Sequence, residues 1–107
     1  MKGKLAVTHA KQFLASFGFV VSDPQEESAN GHDLVAIKGG RGFTFEVKPA
    51  IYKQRAYRVR PVSKKTSDGI IIVFPGGYCL IDSMKNHLSS CSKSGSRFLS
   101  FVGLVVS

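Results

Sequence analysis

Acidic residues are scarce in this chain. Its 107 residues hold 7 Asp+Glu against 15 Lys+Arg, for a formal charge of +8 and a pI of about 9.8. Cysteine is scarcer still: Cys79 and Cys91 are the only two. Two cysteines make no disulfide framework, which points to a reduced, cytoplasmic setting. Neither has a His or Asp partner evident in the sequence, so neither a zinc site nor a cysteine nucleophile is expected. No stretch approaches ~18 apolar residues, and this excludes a membrane-spanning helix. Met1-Lys-Gly-Lys leads into a mixed polar pattern and not an apolar signal core, so secretion is not expected. Repeats and linkers are also absent, and the length suits one domain, residues 1–107. With 43% hydrophobic and 10% aromatic residues, the chain has enough apolar material for a core, which argues against disorder.

The positive charge is concentrated. Between Lys38 and Lys65 stand nine basic residues (Lys38, Arg41, Lys48, Lys53, Arg55, Arg58, Arg60, Lys64 and Lys65) and one acid, Glu46. The remainder holds six bases and six acids and is neutral. A block of this kind is the electrostatic footprint of a protein that binds a polyanion, most often nucleic acid.

Residues 3–18 read as an amphipathic helix. Ala6, Ala10, Phe13, Leu14 and Phe17 recur at helical spacing, Gly18 is the stop, and His9 borders the apolar face. Residues 19–22 form a short strand and 24–31 a polar loop. Asp33–Lys38 and Phe43–Lys48 flank Gly39-Gly-Arg-Gly42, and period-2 alternation across that turn predicts a hairpin. Residues 50–55 are ambiguous. Residues 56–60 alternate as a strand, with a short helix over 50–58 as the competitor. Gly69–Phe74 is a buried strand, and residues 78–81 are its partner across Pro75-Gly-Gly77. Asp82 or Ser83 caps a short helix over 84–90, with His87 expected on its surface, and residues 98–106 form a closing strand. The fold class is therefore α+β, one helix on a mixed, largely antiparallel sheet.

The chemistry lies in Asp33, Glu46 and Lys48. Glu46 and Lys48 are two apart on a strand and leave the same face. A four-residue turn over 39–42 pairs Lys38 with Phe43, Val35 with Glu46 and Asp33 with Lys48. Asp33 and Glu46 then become diagonal neighbours, roughly 7–8 Å apart at Cα. Two carboxylates can share a hard cation such as Mg²⁺, which retains waters and takes a phosphate oxygen as a further ligand. A lysine beside them stabilises charge developing during phosphodiester hydrolysis.

Asp33, then thirteen residues to Glu46, then Lys48 resembles the PD-(D/E)XK nuclease signature, and the preceding helix and the strand-turn-strand setting match it. The stretches Phe45-Glu-Val-Lys-Pro, Tyr57-Arg-Val-Arg, Asp68-Gly-Ile-Ile-Ile-Val and Gly77-Tyr-Cys-Leu-Ile81 are most similar to the small branch with group I intron homing endonucleases, and next to Holliday-junction resolvase-like nucleases. The resemblance implies a restriction endonuclease-like core and a Mg²⁺-dependent DNA endonuclease, Mn²⁺ serving as substitute. In it Asp33 and Glu46 bind the metal, the Val47 carbonyl is a further ligand and Lys48 assists the attacking water. It also implies a homodimer or homotetramer, because cutting two strands takes two sites.

Lys53, Arg55, Arg58, Arg60, Lys64 and Lys65 are the expected DNA contacts, and Arg58 and Arg60 share a strand face. Tyr52 and Tyr57 stand among them, placed for stacking or for the core. His9 and Gln54 are accessory candidates. The sequence departs from its relatives in two ways: His32 replaces the proline before the aspartate, and residues 1–22 lack the acid that many relatives carry on the first helix. Thr8, His9 and Gln12 are the polar residues placed to substitute for it, with Glu26 or Glu27 in the following loop. The competing expectation is a non-catalytic nucleic-acid-binding module on a nuclease-like fold.

Overall fold

Helix α1, Gly3–Ser16, ends at a glycine. Gly18 adopts φ +88°, a conformation open to glycine without a Cβ clash. Its N–H donates to the Ala15 carbonyl at 3.0 Å, and the Phe19 N–H donates to the Leu14 carbonyl at 3.2 Å. These two bonds close a helix C-terminus. The computed structural model describes residues 3–22, 34–61, 66–91 and 95–100. On α1, Ala6, Ala10 and Leu14 are buried, Phe13 is half-buried, and Phe17, just past the helix end, is exposed with its ring edge-on to Phe13.

The remaining elements are β1 (Val20–Ser22), β2 (Leu34–Lys38), β3 (Arg41–Pro49), β4 (Ile51–Lys53), β5 (Ala56–Val59), β6 (Gly69–Val73), β7 (Cys79–Ser83), helix α2 (Met84–Cys91) and β8 (Arg97–Ser100). A five-stranded sheet runs in the order β1-β2-β3-β6-β7, and a three-stranded sheet in the order β4-β5-β8. Every pairing is antiparallel except that of β3 with β6. The architecture is the expected α+β one: an N-terminal helix on a mixed sheet, with a short helix near the C-terminus.

Three expectations change. The β2–β3 hairpin turns on two residues, not four. Gly39 and Gly40 take φ +60° and +75°, the pair of left-handed conformations of a tight hairpin turn. Arg41 and Gly42 thereby join the strand. Lys38 pairs with Arg41 and not Phe43, and Val35 with Thr44 and not Glu46. The offset is two positions, an even number, so the residues of β2 and β3 keep the faces expected of them relative to one another. Second, the ambiguous residues 50–55 resolve into β4 and the turn of a hairpin around Gln54 and Arg55, while the strand expected over 56–60 is seen as β5 and the competing helix over 50–58 does not form. Third, His87 is fully buried. It lies three residues after Met84 and four before Cys91, on the inward stripe of α2. Of the closing strand expected over 98–106, residues 97–100 are seen as β8; positions 101–106 lie outside the described residues, as do the whole of loop 24–31 and residues 62–65.

Two cores form, one on each face of the large sheet. Ala6, Ala10 and Leu14 of α1 pack on Leu34, Ala36, Phe45, Val47, Ile71 and Val73. On the other face Ile70 and Ile72 meet Ala50, Val59, Phe74 and Met84, with Tyr57, Leu88 and Leu99 alongside. Strand β6 is covered on both faces, which is why it reads as an unbroken apolar run. Ser83 caps α2, its Oγ accepting from the Asn86 N–H at 3.1 Å.

Candidate active site

β3 is the central strand of the five, and Glu46 and Lys48 sit near its C-terminal end. Phe45 and Val47 point into the α1 core, so Glu46 and Lys48 leave the opposite face, the face of Ile70 and Ile72. Glu46 is only 6% exposed and Lys48 is half-buried. A carboxylate so far from water persists with hydrogen-bond or cationic company and is a hard oxygen donor. The amphiphilic pattern of β3 thus has its exception at Glu46, a charged residue in a run of buried positions.

Register identifies what surrounds Glu46. It pairs with Ile70, and Ile70 pairs with Asp82, so Asp82 lies on the same face two strands away. Asp82 Oδ2 accepts from Arg97 Nη1 at 2.6 Å and from Asn86 Nδ2 at 2.6 Å, and its Oδ1 accepts from the Ser83 N–H. Burial pushes the Asp82 carboxyl up, but these hydrogen bonds and the Arg97 charge outweigh it and hold the group below its ordinary range. Lys48 and Arg97 both act on His87, whose pKa is lowered first by burial. Just before β6, Asp68 Oδ2 accepts from the Thr44 N–H at 2.8 Å and from Thr44 Oγ1 at 3.2 Å. The sequence marked Asp82 as a cap candidate and Asp68 as part of the resembling stretch, but not their place beside β3, because the parallel β3–β6 pairing spans more than twenty residues of chain.

Asp33, Lys64 and Lys65 lie outside the described residues, as does His32. Val47 directs its side chain into the α1 core. The His9 ring rests against Gly77, where a Cβ would meet it at 2.8 Å, and α1 lies on the sheet face away from Glu46. Lys53, Gln54 and Arg55 are exposed on the β4–β5 hairpin, with Gln54 and Arg55 at its tip. Arg58 is half-buried and its Nε donates to Ser96 Oγ at 2.8 Å, while Arg60 is exposed just past β5. Tyr57 joins the core, edge-on to Phe74 and to the half-exposed Tyr52. Cys91 does have a histidine neighbour, His87 Nε2 at 3.6 Å. Burial nevertheless pushes the thiols of both Cys91 and Cys79 up, which is the wrong direction for a nucleophile.

Among the described residues, no three His, Cys, Asp or Glu side chains gather to hold a metal ion. Glu46 is the described carboxylate on the site face of β3, and Asp33 falls outside that set. An open cleft of about 520 Å³ is lined by Phe19, Phe43, Phe45 and Asp68 among others. It includes neither Glu46 nor Lys48, and its phenylalanines belong to the α1 side of the sheet.

No protein-family model matches the chain, and no curated protein does. Among solved structures it is similar to a bacterial homing endonuclease, I-Ssp6803I, with a TM-score of 0.78, 18% sequence identity, and coverage of 92% of this chain and 72% of that one. At that identity the likeness is one of fold.

Proposed function

We propose that this chain is a metal-dependent DNA endonuclease of the PD-(D/E)XK type, nearest to the homing endonucleases. The observation that carries the reading is a buried Glu46 and a half-buried Lys48 on one face of the central strand, in a fold shared with a homing endonuclease. Asp33 immediately precedes Leu34, the partner of Phe45, and Glu46 immediately follows Phe45, so the two acids flank one register pair. Asp33, Glu46 and the Val47 carbonyl supply the hard oxygen donors that Mg²⁺ or Mn²⁺ takes. The metal, when bound, polarises the phosphate and lowers the pKa of a bound water. Lys48 places its positive charge beside the charge that develops on the phosphate oxygens, and the low dielectric around Glu46 strengthens that interaction. Lys53, Arg55 and Arg60 contact the DNA, and a homodimer or homotetramer supplies the second site that a double-strand cut requires.

Supercoiled plasmid incubated with Mg²⁺, Mn²⁺ or EDTA tests the assignment. Nicking or linearisation is expected with either metal and not with EDTA. Lys48→Ala should lower cleavage by about 10²–10³-fold, the usual cost of removing one electrostatic stabiliser, with DNA binding within a few-fold of wild type. Glu46→Ala and Asp33→Ala should abolish metal-dependent cleavage, with a thermal melt confirming that each variant folds. Wild-type cleavage by any of the three removes that residue from the site.

One observation favours a second reading: α1 contains no acid and packs on the face of Phe45 and Val47, so it brings no further carboxylate to Glu46. A non-catalytic DNA-binding module is established if the protein shifts duplex DNA in a salt-sensitive manner and never nicks it.

A further inference from the structure

The chain makes two two-residue hairpin turns of the same geometry and fills them differently. At the β2–β3 turn, Gly39 and Gly40 take φ +60° and +75°; at the β4–β5 turn, Gln54 and Arg55 take φ +53° and +64°. Lys53 pairs with Ala56, so these two residues are the whole turn. Left-handed φ at two successive positions suits Gly, Asn or Asp. A long side chain there carries a steric penalty. Among the described non-glycine residues, Gln54 and Arg55 alone have positive φ. The glycine solution exists in the same molecule, so geometry does not explain a glutamine and an arginine in the second turn. Strain of this kind points to a use for the side chains.

Their setting narrows what that use can be. Residues 51–55 are all exposed. The hairpin is anchored at its base, where the Tyr52 ring lies 5.1 Å from Tyr57 and Tyr57 lies 4.9 Å from Phe74 in the core. β5 also pairs with β8 as far as Ala56, so the Gln54–Arg55 turn stands at the edge of a three-stranded sheet, and an exposed turn between two strands fits the major groove of B-DNA, which admits β structure. Phosphate contact alone needs only positive charge, which a lysine supplies. A planar amide beside a planar guanidinium is the pair that reads base edges: glutamine bonds adenine N6 and N7, and arginine bonds guanine O6 and N7.

Resting on the reading of this chain as a DNA endonuclease, we propose that Gln54 and Arg55 are its sequence-reading residues, entering the major groove to select an adenine and a guanine at neighbouring positions. Gln54 then serves recognition, not the metal site.

The experiment is selection of bound and cleaved duplexes from a randomised pool, compared among wild type, Arg55→Lys and the double variant Gln54→Gly/Arg55→Gly, which repeats the Gly39-Gly40 turn. The double variant keeps the preferred turn chemistry and should melt at or above the wild-type temperature, so loss of folding is not confounded with loss of recognition. Wild type should prefer adenine and guanine at two neighbouring positions by about 10–100-fold. The double variant should lose preference at those positions while keeping it elsewhere. Arg55→Lys should lose the guanine preference although its charge is unchanged. The proposal is overturned if Arg55→Lys keeps that preference. It is equally overturned if the double variant weakens all sequences uniformly and flattens the salt dependence, the mark of phosphate contacts alone. Absence of any DNA binding by wild type overturns the endonuclease reading as well, and so is distinguished from failure at the hairpin.

Discussion

His87 is a buried titratable group on the inward stripe of α2. Its Nε2 lies 3.2 Å from the Arg60 carbonyl oxygen, an acceptor, so Nε2 carries the hydrogen. Nδ1 is buried and has no hydrogen-bond partner among the described residues. Burial pushes the pKa of the ring down; the Arg60 carbonyl and Asp82 oppose this, and Arg97 and Lys48 add to it. The folded protein therefore holds His87 neutral to lower pH than the unfolded chain, whose histidine titrates near 6.5. Between the two pKa values the unfolded state binds more protons, so stability rises with pH in that window. The sign is definite: stability falls as pH drops below about 6.5 and stops falling on this account once the folded pKa is passed. Asp82, also held low, contributes in a separate window, below about 4. Melting temperatures measured from pH 7.5 to 5 should decline for wild type. They should decline less steeply for His87→Gln, although that variant starts lower. An equal slope for both would mean that His87 does not carry the dependence.

At the scale of elements, the helix stop at Gly18, the hairpin before Glu46, the buried β6 and the cap of α2 are all legible in the sequence, because each rests on local periodicity or on one residue's backbone freedom. The register of the β2–β3 hairpin is not. Gly39-Gly-Arg-Gly42 presents three glycines, yet positive φ is required only at the first two. The β4–β5 hairpin is hidden for the opposite reason: its turn has no glycine at all. The pairing of β3 with β6 is non-local and leaves no local trace, so the row Glu46, Ile70, Asp82 emerges only in the fold. That pairing depends on Gly69, which faces Phe45 in the register. A Cβ there would lie 2.8 Å from the Asp82 carbonyl oxygen and 3.1 Å from the Phe45 ring. Backbone cannot yield as a flexible side chain does, so Gly69→Ala should destabilise by about 1–3 kcal/mol, the range for overpacking. At this size each kcal/mol corresponds to roughly 4–8 °C in melting temperature. Gly42→Ala is the matched control. A Cβ at Gly42 meets nothing within 4 Å, and alanine there should be neutral or stabilising by up to about 1 kcal/mol. If calorimetry gives the two variants the same melting temperature, the close approach of β6 to β7 is not what fixes glycine at position 69.

For the whole molecule, the fold divides a basic block that is continuous in sequence. Strand β3 runs from Arg41 to Pro49, and at about 3.3 Å per residue its ends are roughly 26 Å apart. Lys38 and Arg41 belong to the far end, where Lys38 Nζ sits 5.3 Å from the Phe19 ring centroid and the Arg41 guanidinium 4.9 Å from that of Phe43. Lys53, Arg55 and Arg60 follow the near end, after Glu46 and Lys48. The net charge of +8 therefore does not act as one surface, and only the near group adjoins the proposed site. Salt dependence separates the two groups. Each phosphate neutralised by a lysine or arginine releases counterions, so the logarithm of affinity falls against the logarithm of salt with a slope of about −0.9 per contact on B-DNA. Lys53→Gln and Arg60→Gln should each make the slope shallower by about 0.9, whereas Lys38→Gln and Arg41→Gln should leave it unchanged. Fluorescence anisotropy on one duplex, titrated from 50 to about 300 mM salt, reads all four. A shallower slope for the far pair with no change for the near pair would place the DNA across the β2–β3 hairpin and away from Glu46, and the site reading would fall with it.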